Sequence, residues 1–251
     1  MKTPAIALAL LALTASALAR ENLPPGFVYL RDVEASIAQD MRYASYDNFV
    51  GRPLPGYNAA ECVLRRDVAQ ALSKVQADLA AQGLSLKVYD CYRPTRAVHA
   101  MAAWSHDGAR EATTKRFFPA LQKGNLFALG YIAAQSAHST GTAIDLTLIK
   151  LPAANVAPFD RAARYGPCTG PAAERAPDDS LDMGTGFDCF DPRSHTGSGA
   201  ITPEQMRARA TLGAAMRKRG FRNYFREWWH FSYGPQPSQG YDVPIVERPT
   251  R

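Results

Sequence analysis

The chain has 251 residues, 46% hydrophobic and 21% charged, with 29 Lys+Arg against 23 Asp+Glu for a formal net charge of +6. That balance excludes a disordered polyelectrolyte and leaves ample chain for a buried core, as one large domain or two small ones. The basic residues are dispersed, with no Lys/Arg block interleaved with aromatics, which excludes a nucleic-acid surface.

Residues 1–19 read as a leader rather than as part of the fold. Lys2 gives a positive start, an apolar run from Ala5 to Leu13 is too short for a membrane anchor, and Ala17-Leu18-Ala19 fits a cleavage site. The expectation is a periplasmic or secreted protein with no membrane anchor, its residues 20–251 forming a single domain that is a monomer. Short strands are predicted over 27–31 and 37–43, followed by a Gly/Pro-rich loop over 51–56. Helix periodicity spans 65–82, where Val68, Leu72, Val75 and Leu79 recur at spacings of four, three and four. Residues 84–91 alternate like a strand returning antiparallel to that helix, so the strand's end comes back beside the helix's start. In an oxidising compartment that favours a Cys62–Cys91 bridge and leaves Cys168–Cys189 by subtraction.

A helix over 97–104 packs Val98, Met101 and Ala102. A loop over 130–140 leads into a strand over 143–149. The Pro/Ala/Gly-rich stretch 150–181 enters beside Asp145 and leaves beside Asp188, and is expected to roof a pocket between them. Thr202-Pro203-Glu204-Gln205 starts a helix, with Thr202 and Gln205 closing a capping box and Gly220 ending it. Strands over 221–225 and 228–233 complete an α+β fold, a mainly antiparallel sheet with flanking helices.

Two blocks carry chemistry. The first runs Ser136-Ala137-His138-Ser139-Thr140-Gly141-Thr142-Ala143-Ile144-Asp145, and the second is Glu227-Trp228-Trp229-His230. Two imidazoles and a carboxylate are what a catalytic zinc accepts, with a fourth position left for water, so His138, Asp145 and His230 are the candidate ligands of one Zn2+ per chain. Such water still needs a base, and Glu227 stands three residues before a ligand. Its tryptophan neighbours predict desolvation and a raised carboxyl pKa.

Both blocks in this order, with Asp90-Cys91-Tyr92-Arg93-Pro94 upstream, resemble the D-alanyl-D-alanine dipeptidases, the vancomycin-resistance dipeptidase group of the LAS-type zinc peptidases. The likeness extends to Met41-Arg42-Tyr43-Ala44-Ser45-Tyr46-Asp47-Asn48-Phe49, to Asp182-Met183-Gly184-Thr185-Gly186-Phe187-Asp188 and to Phe190-Asp191-Pro192-Arg193-Ser194-His195. It implies the LAS-type zinc peptidase fold and hydrolysis of D-Ala-D-Ala. It also implies Glu227 as base and later acid, and Arg93 as the cation at the oxyanion. Asp188 would receive the substrate ammonium, with Ser136 and Tyr43 beside it. Two rivals stand. One is a D,D-carboxypeptidase of the same fold, which a carboxylate closing the ammonium pocket would disfavour. The other is a non-catalytic zinc-stabilised wall-binding module, which would need neither Glu227 nor Arg93.

Overall fold

The computed structural model describes residues 23–108 and 114–249. The expected leader, residues 1–19, lies outside the described residues. Seven strands and three long helices are found among those residues: β1 (Phe27–Tyr29), β2 (Ala38–Gln39), β3 (Val63–Arg65), α1 (Arg66–Ala80), β4 (Leu84–Asp90), α2 (Thr95–His106), β5 (Ala143–Lys150), α3 (Pro203–Lys218), β6 (Phe221–Asn223) and β7 (His230–Tyr233). They form a two-stranded β1-β3 sheet and a five-stranded sheet of order β2-β4-β5-β7-β6. Only the β2/β4 pair of the larger sheet is parallel. The mixed α+β architecture with an antiparallel-dominated sheet is thus the one its patterning predicts.

Helix α1 buries Val68, Leu72, Val75 and Leu79, the stripe its periodicity marks, and hands directly into β4 through the turn at Gly83. β4 and β5 are buried along nearly their whole length: β5 reads as a largely apolar run, whereas the alternating β4 also buries Ser85 and Lys87. Helix α3 starts as predicted: Thr202 Oγ1 accepts the Gln205 amide while the Gln205 side chain accepts the Thr202 amide. Among the described residues no helix is long and apolar enough to cross a membrane.

Both bridges form as expected, Cys62–Cys91 with a Cα separation of 5.3 Å and Cys168–Cys189 with 5.5 Å. The first ties the start of β3 to the end of β4, the geometry anticipated from the helix and its returning strand.

Three expectations need correction. The strand expected over 37–43 stops at Gln39, because the Arg42 side chain is buried among Asp40, Asp47 and Asp178, and the backbone winds into a 3-10 turn over Arg42–Ala44. Strand pairing does not extend through 224–229 either, since the Glu227 amide closes a turn on the Tyr224 carbonyl and β7 begins at His230. The segment 150–181 does not roof the pocket. It leaves from the end of β5 remote from Asp145, and Asp178 and Asp179 dock on Arg42 and Lys87.

Candidate active site

The two sequence blocks meet because β5 and β7 are neighbours and their register sets Asp145 opposite His230. Paired residues across a ladder project to one face of the sheet, so carboxylate and imidazole converge. The third group comes from the 3-10 turn Ala137–Thr140. Ser136 Oγ caps that turn by accepting the His138 amide at 3.2 Å, and Gly141 ends it at φ 72°, a conformation that suits glycine.

His138 Nε2, His230 Nδ1 and Asp145 Oδ1 lie 3.0–3.3 Å from one another. A tetrahedral ion with ligand atoms about 2.0–2.1 Å away would space them about 3.3 Å apart, so the triangle fits one small divalent metal. The tautomer fits as well. His138 Nδ1 lies 2.7 Å from the Cys91 carbonyl oxygen, which can only accept, so the proton sits on Nδ1 and Nε2 offers its lone pair inward. Burial pushes the Asp145 carboxyl up, but His138 and His230 outweigh it and hold the group well below the usual carboxylate range. A buried carboxylate kept charged among two imidazoles is a metal-binding arrangement.

Across the β4/β5 pair, where a bulge shifts the register, Asp90 faces Asp145. Two buried carboxylates in that relation repel, and Arg93 answers both. Its guanidinium contacts Asp90 Oδ2 at 2.9 Å (Nη2) and 3.0 Å (Nε), and stands 3.7 Å from Asp145 Oδ2. Tyr57 donates its hydroxyl to Asp90 Oδ1 at 2.6 Å, and the guanidinium carbon lies 4.9 Å above the centre of the Tyr43 ring. Asp90 therefore does orient Arg93, and Tyr57 fixes Asp90 in turn.

Glu227 sits at the turn before β7, its Oε2 3.8 Å from His230 Nδ1 and its side chain 16% exposed. Burial pushes its carboxyl up to about 7, with His230 and Arg93 drawing it down and Asp145 adding to the rise. Asp188 is 5% exposed and accepts the Tyr43 hydroxyl at 2.8 Å. Burial, and then the charge of Asp145, raise it well above the carboxylate range. Tyr43, Arg93, Ser136, His138, Asp145, Asp188, Glu227 and His230 all line one cavity of about 430 Å³. Every residue singled out for metal, proton transfer or substrate recognition is thus in one place.

Other contributors escaped the sequence reading. The loop 130–137 forms a wall of the cavity, and no part of 150–181 lines it. Asn223 donates its side-chain amide to the carbonyls of Glu227 and His230, at 2.9 Å each, and so sets the spacing of the second block. Its position four residues before Glu227 was the available signal. The Cys91 carbonyl had none, since a backbone acceptor is invisible in a side-chain motif. His195 lies outside the cavity, its ring against Phe225.

Comparison with known proteins finds relatives that span most of the chain. The chain is 31% identical over 222 residues to a D-alanyl-D-alanine dipeptidase of Enterococcus faecium, covering 88% of this chain and 98% of that one. It is 32% identical over 222 residues to a D-alanyl-D-alanine dipeptidase of Streptomyces coelicolor, with the same coverage. A crystal structure of a vancomycin-resistance D,D-dipeptidase with a D-Ala-D-Ala phosphinate analogue overlaps 82% of this chain and 66% of that one. Its 18% identity and TM-score of 0.30 carry no argument. The profile of Peptidase_M15, the D-ala-D-ala dipeptidase family, matches residues 24–159 and 175–250. With that extent of match, the chain belongs to the Peptidase_M15 family of metallopeptidases.

Proposed function

We propose that this protein is an exported, zinc-dependent D-alanyl-D-alanine dipeptidase that releases two D-alanines. The observation that carries the reading is the single cavity in which a triangle of metal-ligand atoms, a raised carboxyl at Glu227, the Arg93 guanidinium and a buried carboxylate at Asp188 face one another. The names of the relatives supply the substrate.

His138, Asp145 and His230 would hold one Zn2+. When bound, the ion supplies Lewis-acid polarisation of the peptide carbonyl and lowers the pKa of water. Glu227 takes a proton from the attacking water, and a carboxyl near 7 is matched to that task. Arg93, held rigid by Asp90, faces the negative charge that develops on the carbonyl oxygen as the tetrahedral adduct forms. Glu227 then returns its proton to the departing amine as the C–N bond breaks. Asp188, with Tyr43 fixing its carboxylate, pairs with the free ammonium of the substrate, and Ser136 borders that pocket. Residues 1–19 and the pair of disulfides support export to an oxidising compartment. An exported enzyme cannot deplete a cytoplasmic pool of D-Ala-D-Ala, so the role we propose is scavenging or wall turnover.

The test compares release of D-alanine from D-Ala-D-Ala and from its N-acetylated form. The dipeptidase reading expects strong preference for the free amine. Equal rates on both substrates would replace it with the D,D-carboxypeptidase reading.

A further inference from the structure

The Peptidase_M15 match stops at residue 159 and resumes at 175. The intervening stretch, residues 160–174, lies outside the family match, and it contains Cys168. The partner of Cys168 is Cys189, the residue immediately after Asp188.

Asp188 is unusual in two ways. At φ 55° it is the only non-glycine residue with a positive φ among the described residues, a conformation that persists only where the surroundings impose it. Its carboxylate is buried in the cavity with the Tyr43 hydroxyl as hydrogen-bond partner, and it forms no Lys or Arg ion pair among the described residues.

The surroundings that hold this geometry lie partly in the 160–174 stretch and partly in the loops around it. Cys168 holds the loop twice, by the disulfide to Cys189 and by its carbonyl, which accepts the Gly186 amide at 2.8 Å. Ser194 Oγ donates to the Cys189 carbonyl at 2.6 Å, and the Phe190 amide donates to the Phe117 carbonyl at 2.8 Å. The segment is itself anchored: the Cys168 amide donates to the Arg116 carbonyl at 2.8 Å, and Arg193 Nη1 to the Thr169 carbonyl at 3.2 Å. Yet no residue from 151 to 181 lines the cavity. The segment's covalent link to the site runs through the 186–190 loop, beside the ion pairs that Asp178 makes with Arg42 and Lys87. The metal triangle rests on β5, β7 and the turn at His138, which this bridge does not touch.

We infer that the 160–174 stretch, through the Cys168–Cys189 bridge, is a brace that holds Asp188 in place for the free amino group of the substrate. Cys168 and Cys189 are then positioning residues that set selectivity for the amino end. This rests on the reading of Asp188 as the ammonium partner. Without the bridge, the positive-φ residue is free to relax to an ordinary backbone conformation, and its carboxylate leaves the place where an ammonium would meet it.

The test is the Cys168→Ala/Cys189→Ala variant, assayed on D-Ala-D-Ala and on its N-acetylated form with zinc content measured alongside. KM for D-Ala-D-Ala should rise about tenfold with kcat within about threefold, so the preference for the free amine falls by about the same tenfold. Zinc content should be unchanged. Unaltered KM and preference would overturn the brace, and so would a fall in kcat with zinc lost. Should the variant not fold, graded reduction of the wild-type enzyme with thiol alkylation mapped by mass spectrometry serves instead. Loss of amine preference should then follow opening of Cys168–Cys189, and loss following Cys62–Cys91 would overturn the proposal. Asp188→Ala is the separate control. If it leaves the amine preference intact, the reading of Asp188 itself fails, whatever the cysteines do.

Discussion

Glu227, partly buried, and Asp188, buried, both carry carboxyls with raised pKa, yet their neighbours give them different surroundings. Glu227 lies 3.8 Å from the His230 imidazole of the proposed metal triangle, where the proposed mechanism puts the attacking water, whereas Asp188 is fixed by Tyr43. Glu227→Gln keeps the shape and hydrogen bonding but cannot accept a proton. It should retain zinc while kcat falls by roughly 10²–10⁴-fold, the usual span for a positioned base. Metal analysis beside steady-state kinetics checks this, and loss of zinc from that variant would make Glu227 a ligand instead. His230→Ala removes one corner of the triangle, so zinc and activity should disappear together. Full zinc occupancy in purified His230→Ala protein would refute the ligand assignment.

At the scale of elements, the site depends on how one turn is packed. The 3-10 turn carrying His138 ends at Gly141, where φ is 72° and an added Cβ would overlap the Phe27 ring of β1. Gly141→Ala therefore meets two penalties, a strained backbone and a collision with a buried aromatic. A loss of about 2–3 kcal/mol in unfolding free energy is expected from such overpacking. Because the turn itself must move, zinc affinity should fall as well. Denaturant unfolding and a competitive chelator titration measure the two effects, and a variant as stable as wild type with unchanged zinc affinity would remove the turn from this account. The capping box at the start of α3 is a plainer case. Thr202→Ala should cost about 1 kcal/mol with activity unchanged, since that cap lies outside the cavity.

For the molecule as a whole, the sheet and the disulfides share the task of holding distant segments against one another. Cys62–Cys91 closes a separation of 29 residues and Cys168–Cys189 one of 21. By the chain-entropy estimate each contributes roughly 3–4 kcal/mol. Opening Cys62–Cys91 should do more than destabilise, because the Cys91 carbonyl accepts from His138 Nδ1 and fixes the ligand's tautomer. Cys62→Ala/Cys91→Ala is thus expected to weaken zinc binding about 10–100-fold, the usual effect of losing support behind a metal ligand. Chelator competition with the folded variant decides this, and unchanged affinity would limit the bridge to stability. On the proposed reading the two bridges would support separate halves of the site, the metal ligands through Cys91 and the amino-end pocket through Cys189.

The candidate ligand set was legible in the sequence because a metal site demands particular atoms. His138, Asp145, His230 and Glu227 are chemically specific, and α1, β4 and the α3 cap follow from periodicity and local hydrogen bonding. Cys62–Cys91 was legible too, since a helix followed by a returning strand leaves little freedom over where the strand ends. Tertiary structure alone decided the rest. The 37–43 segment was diverted from strand to turn by ion pairs between Arg42 and residues as far along the chain as Asp178. The segment 150–181 does not line the cavity; Arg42 and Lys87 hold its aspartates instead. The backbone groups that orient His138 and restrain Asp188 carry no residue signature, and they act only once remote strands are brought within hydrogen-bonding distance. The residue types set which chemistry was available, and long-range packing set which groups would hold it in place.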